Sequence, residues 1–217
     1  MPTPPNRPGS VAASDDAPPA IITGRRPRRD ELPLFHGSAV PDLVGPGVKL
    51  LFVGINPSLW TAAVGAHFAR PGNRFWPALA AARITPAVVD CSAGMSPADT
   101  AALIARGVGI TNIVARATAR ADELDRAELR AGGVRVMERV AELRPRVVAV
   151  LGVTAYRQAF DPKARQGLQE APPGAAGPTE WWVLPNPSGL NAHETVASLG
   201  LAYARVAERA GIPAPHD

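Results

Sequence analysis

One cysteine, Cys91, stands in 217 residues. An intrachain disulfide is therefore impossible, and a four-cysteine zinc or iron–sulfur centre is excluded. With only four histidines as well, no metal is expected, nor is any organic cofactor. Lysine is nearly missing: of the 23 Lys and Arg, only Lys49 and Lys163 are lysines. No apolar run is long enough to span a bilayer. The N-terminal MPTPPNRPGSVAASDD lacks the apolar stretch of a signal peptide, so a cytoplasmic location is expected, with no membrane partner. There is no G-x-x-x-x-G-K-[ST] loop and no G-x-G-x-x-G turn after a strand, which disfavours a kinase, an ATPase or a dinucleotide enzyme. The absence of a G-x-S-x-G elbow disfavours an ordinary serine hydrolase.

What is present is a chain long enough to bury a full core in one domain, with a 46% hydrophobic share. The net charge of +4 is carried by arginine, whose planar fork suits phosphate oxygens. Residues 1–30 are rich in Pro and Ser and lack aromatics, so they read as a disordered tail ending in the Arg cluster GRRPRRDELP. Residues 31–217 read as a single domain.

From Val48 the pattern turns apolar. VKLLFVGI (48–55), VGITNIV (108–114), RVVAVLG (146–152) and WWVLP (181–185) read as four strands buried on both faces. Helices are expected over 73–83, 96–107, 125–143, the segment TAYRQAF, and from the turn NPSGLNAHE to about Ala210. Asn191 with Glu194 three residues later resembles a capping box for the last helix. The pair Gly132-Gly133 inside the 125–143 helix is costly there and points to close packing. Residues 161–179 read as loop. Strands alternating with helices predict an α/β fold: a three-layer α/β/α arrangement around a central, mostly parallel four-stranded sheet. In such sheets sites form beyond the carboxyl ends of the strands. The loops after Ile55, Val114, Gly152 and Pro185 should therefore share one edge.

The groups at that edge are amides, hydroxyls, an imidazole and aromatics. GINPS (54–58) places Asn56 after the first strand. GAHFARPGNRFW (65–76) interleaves His67, Phe68, Arg70 and Arg74 with two glycines and a proline. Asn112 lies in the second strand, and NPSGLNAH (186–193) follows the fourth. No carboxylate stands inside these motifs. The mixture suits a flat heterocycle: an aromatic face to stack on and amides to read an edge. Leu190, between Gly189 and Asn191 on a tight turn, could fill the hole left by an extruded base.

These four motifs, in order and covering about residues 48–210, resemble those of the mismatch-specific uracil DNA glycosylase and thymine DNA glycosylase family. The resemblance implies a uracil-DNA-glycosylase-like fold and hydrolysis of the bond between a mispaired base and its deoxyribose, with uracil, and ethenocytosine or related damaged pyrimidines, as the expected bases. It implies that Asn56 holds the attacking water and that Phe68 stacks on the base. Backbone N–H groups around Ile55 would receive that base, with His67, Asn112 and Asn186 near it. Ser188, Gly189, Leu190 and Asn191 would meet the DNA, with Leu190 as wedge, and Arg70 would face phosphate. The partner is then double-stranded DNA bearing a G·U or related mispair, bound by a monomer, which would associate with the nucleoid through its DNA. Ser58 stands where the family commonly has Gly, and a positive φ there would strain it. Thr61 falls where the two branches differ in a small residue near the base. Asn112 resembles the thymine branch and NPSGL the uracil branch. Two other readings fit the same edge: a mismatch-binding protein of weak activity, and a hydrolase of free nucleosides.

Overall fold

Five short segments pair into one sheet. They are β1 (Leu50–Gly54), β2 (Val108–Asn112), β3 (Val147–Leu151), β4 (Gly167–Gln169) and β5 (Glu180–Leu184), in the order β2-β1-β3-β5-β4. The computed structural model describes residues 18–215. β2, β1, β3 and β5 run parallel, with Gly54 opposite Asn112 and Leu151 opposite Leu184. The four expected strands are these four. The fifth, β4, lies in the segment expected to be loop and pairs antiparallel with β5. It has three residues, and its central Leu168 is exposed. Such a strand has no apolar run to betray it; its pairing with β5 is what defines it.

The buried strands feed two cores because successive side chains point to opposite faces. Leu50, Phe52, Ala149, Leu151 and Leu184 enter one core with Phe75, Leu79 and Tyr203. Leu51, Val53, Val148, Val150 and Val183 enter the other with Leu129, Val136 and Tyr156. Helices α2 (Phe75–Ala81), α3 (Pro97–Ala105) and α6 (Val196–Ala210) supply the first; α4 (Arg126–Leu143) and α5 (Val153–Ala159) supply the second. This is the expected α/β sheet covered on both faces.

The helix starts follow capping chemistry. Ser96 accepts from the Asp99 N–H ahead of Pro97, and Asp125 accepts from the Glu128 N–H. The expected cap of α6 is corrected. Thr195 is the N-cap, exchanging hydrogen bonds with Ser198, while Asn191 belongs to the preceding turn. Thr195 and Ser198 form the same reciprocal pattern one turn later, so two competing caps stood in the sequence. α1 (Leu59–Val64) was not foreseen. Its N-cap is Ser58, whose hydroxyl accepts from the Thr61 N–H. Ser58 has φ −74, so the strain expected of a positive φ there is absent.

Residues 1–17 lie outside the described residues. Of the remainder of the expected tail, the Ile22 N–H donates to Ala63 O at 2.7 Å. Arg25 pairs with Glu31 at 2.6 Å, and Arg26 Nε donates to Ser92 Oγ at 2.9 Å. Among the described residues no helix is long and apolar enough to cross a membrane.

Candidate functional site

The carboxyl ends of β1, β2, β3 and β5 open onto one cavity of about 570 Å³. Ile55, Asn56 and Ser58 line it from the first motif, Thr61 from α1, and His67, Phe68 and Arg70 from the second. Asn112 lines it from β2, and Asn186, Ser188 and Leu190 from the loop after β5. Gly189 and Asn191 do not line it; they sit in the same turn as Leu190. The sheet topology thus gathers residues more than a hundred positions apart.

Asn56 is held by its nitrogen. Nδ2 donates to Thr118 Oγ1 at 2.7 Å, to Arg116 O at 3.1 Å and to Pro57 O at 3.2 Å. Two of these partners are carbonyls, which only accept, so the amide has one possible orientation. Its Oδ1 receives no hydrogen bond from the described residues and remains an acceptor at the cavity. Thr118 completes the clamp: its hydroxyl donates to Arg120 O at 2.7 Å, which leaves a lone pair for Asn56. Arg116 is fixed in turn by Glu128 of α4 at 2.8 Å. Sequence reasoning missed Thr118, for it lies in the Ala- and Arg-rich stretch ARATAR, without periodicity or motif.

His67 and Asn112 form a second fixed pair. His67 is 3% exposed, with Nε2 3.0 Å from Pro41 O and Nδ1 3.3 Å from Asn112 Nδ2. A carbonyl cannot donate, so Nε2 carries the proton and Nδ1 accepts from the Asn112 amide. Asn112 therefore turns Oδ1 away from the histidine. That oxygen lies over Gly54, only 2.4 Å from where a Cβ would stand, and Phe68 Cζ is 3.1 Å from the same point. Glycine at 54 is what lets an acceptor and an aromatic ring lie side by side at the end of β1.

Burial lowers the His67 pKa, against the opposing pull of the Pro41 carbonyl and Asp42. The folded protein thus keeps a neutral imidazole that the unfolded chain would protonate. The unfolded state then binds more protons below the usual histidine range, so stability is full above about pH 6.5 and falls as the pH drops below it. Urea midpoints between pH 7.5 and 5.5 should decline in the wild type and decline less in His67→Gln. Equal slopes would remove His67 as the cause.

Phe68 takes φ 55, a region uncommon for a residue with a Cβ. One face of its ring stacks on Phe75, with centroids 4.0 Å apart and planes at 23°. Such local strain, held by neighbours, concentrates at functional sites. Asn186 Oδ1 accepts the Ser188 N–H at 2.9 Å, which commits that oxygen to its own turn. Ser58 Oγ donates to Thr61 Oγ1 at 3.1 Å. Leu190 is 83% exposed at the loop tip.

Other residues are structural. Phe75, Trp76, Tyr156 and Trp181 are buried in the two cores. Burial pushes the Cys91 thiol up to about 12, so it remains a protonated, unreactive thiol. Among the described residues, no group of three or more His, Cys, Asp or Glu could hold a metal ion. Asp122, exposed and paired with Arg120 at 2.7 Å, is a carboxylate at the cavity that the motifs did not include.

A family model of the uracil DNA glycosylase superfamily matches residues 41–206. The chain belongs to the uracil DNA glycosylase superfamily. The match spans all four motifs and every lining residue named above. In fold the chain is similar to the solution NMR structure of a protein from Methanosarcina acetivorans described as a candidate uracil DNA glycosylase. That likeness has a TM-score of 0.53 at 16% identity, over 77% of this chain and 96% of the other.

Proposed function

We propose that this protein is a monofunctional DNA glycosylase that hydrolyses the N-glycosidic bond of uracil in G-mispaired duplex DNA and so initiates base excision repair. The observation that carries the proposal is the Asn56 amide, whose two N–H groups are shared among three acceptors and whose oxygen is left at the cavity.

Cleaving this bond builds positive charge on the sugar and negative charge on the departing base. Phosphates of the bound DNA favour the first, and donors aimed at the base oxygens favour the second. Water then needs placing more than deprotonating. Asn56 Oδ1 accepts a hydrogen from that water and points its lone pair at the sugar carbon. An amide cannot take the proton, so the roughly 10²–10⁴-fold contribution of a general base is largely forgone, and turnover is slow. Selectivity comes from extrusion, which costs least for a mispaired base. The extruded base lies against Phe68. Its ring N–H meets Asn112 Oδ1, which favours uracil over ethenocytosine, whose corresponding nitrogen carries no hydrogen. Leu190 fills the gap left in the duplex. Neither Lys49 nor Lys163 lines the cavity, so a Schiff base and strand cleavage are not part of the reaction.

Thr118→Val removes the shortest bond to the Asn56 nitrogen while keeping side-chain shape. The single-turnover rate on a G·U duplex should fall about tenfold, with a stability loss of about 1–2 kcal/mol. An unchanged rate would exclude Thr118 from the clamp's function. The proposal itself is tested with duplexes bearing G·U or A·U, a single strand bearing U, and free deoxyuridine. Multiple turnover fastest on G·U is the expected result. Binding without turnover would indicate a mismatch-binding protein, and release from free deoxyuridine a nucleoside hydrolase.

A further inference from the structure

We propose that Arg74 is a positioning residue that locks the Leu190 loop, and that this lock makes the protein work on duplex rather than single-stranded DNA. The second half rests on the glycosylase reading above. Arg74 stands in the second motif, four residues after Arg70. Its guanidinium is spent inside the protein. Nη2 donates to Ser188 O at 3.0 Å and Asn191 O at 2.8 Å, and Nη1 donates to Glu194 O. The Arg74 backbone N–H donates to Pro187 O at 2.9 Å. One side chain thus gathers three carbonyls spread over seven residues of the loop.

Carbonyls converging on one point repel unless a donor lies between them. A guanidinium offers five N–H groups in a rigid plane and no acceptor, which suits this arrangement. Contacts on the other side tighten the same loop. Gly189 lies so close to Gly72 that a Cβ would stand 2.7 Å from Gly72 O. Asn191 Nδ2 donates to Asn186 O at 3.1 Å, and the Asn191 N–H donates to Ser188 O at 3.0 Å. The loop is therefore held by polar contacts, while its one large apolar side chain, Leu190, is left 83% exposed. A wedge must enter a duplex without first being ordered, because ordering on contact subtracts from binding. A single strand leaves no hole to fill, so it gains nothing from a fixed wedge.

The test compares wild type, Arg74→Gln, Arg74→Lys and Leu190→Ala. The kcat/KM for uracil release is measured on a G·U duplex and on a single strand. Arg74→Gln should lose about tenfold on the duplex and less than about twofold on the single strand, and Leu190→Ala should do the same. Arg74→Lys, which keeps a donor but not the fork, should fall between. The double variant should be no worse than Leu190→Ala, because both act through one wedge. Equal loss on both substrates, or none on either, would overturn the proposal. Amide hydrogen exchange across 188–194 needs no turnover: protection lost in Arg74→Gln supports the lock, and protection retained overturns it. Should the wild type release no base from either strand, the glycosylase reading and the duplex half fall together, and exchange alone decides the lock.

Discussion

Asn56→Ala should lower the single-turnover rate of uracil release from a G·U duplex by about 10²-fold or more, with duplex binding retained. The informative partner is Asn56→Asp. A carboxylate is a better base than an amide, so on proton chemistry alone aspartate should be the faster enzyme. The geometry predicts the opposite. The position of Nδ2 faces Arg116 O, Pro57 O and Thr118 Oγ1. An ionised carboxylate oxygen there would meet two carbonyl oxygens with no hydrogen between them. Unless it holds a proton it would turn away, and turning away leaves the water without its acceptor. Asn56→Asp should therefore be nearly as slow as Asn56→Ala at neutral pH. It should recover partly as the pH falls and the carboxyl protonates, since its O–H can then stand in for one N–H. Full activity for Asn56→Asp at neutral pH would mean that the asparagine does not work through this clamp.

The largest effect on stability is expected at Gly132. An alanine Cβ there would stand 2.2 Å from Ile113 O, and the nearest atoms include backbone that cannot rotate aside. Helix propensity favours Ala over Gly by up to about 1 kcal/mol. Here it is outweighed, because α4 must lift from the chain that follows β2. Gly132→Ala should cost about 2–3 kcal/mol net and lower Tm by about 5–10 °C. Ile113 directly follows Asn112, so the displaced strand end also bears on the site. Leu201, exposed on α6, supplies the control: Leu201→Ala should change Tm little. A Tm for Gly132→Ala equal to that of the wild type would show that the helix and Ile113 separate without cost.

That glycine pair illustrates what the sequence carries. Two glycines in a helix of good formers are a local loss, and the structure returns a reason for both: a Cβ on Gly133 would stand 2.8 Å from Ala159 O, as one on Gly132 would crowd Ile113 O. The four long strands were legible because continuous apolar runs are rare outside buried strands. β4 was not, since three residues with one exposed Leu make no pattern. α1 was hidden behind the Pro57 turn, where Ser58 read as a displaced glycine rather than as an N-cap. In the site, Asn56, Phe68, His67, Asn112 and Leu190 were visible because motifs frame them. Their orientation was not. Which way each amide faces is decided by Pro41, Pro57, Arg116 and Thr118, whose carbonyls and hydroxyl carry no signature. Arg74 shows the same limit: a motif located it, but only the fold showed its charge turned inward onto carbonyls.

The most direct measurement follows free uracil by mass spectrometry from a duplex with a single G·U mispair, enzyme in excess, for wild type and Asn56→Ala together. The wild type should give uracil and an alkali-labile abasic site in equal amounts with no strand break before alkali, and Asn56→Ala almost no uracil. Equal uracil release by both proteins would mean that Asn56 does not place the water.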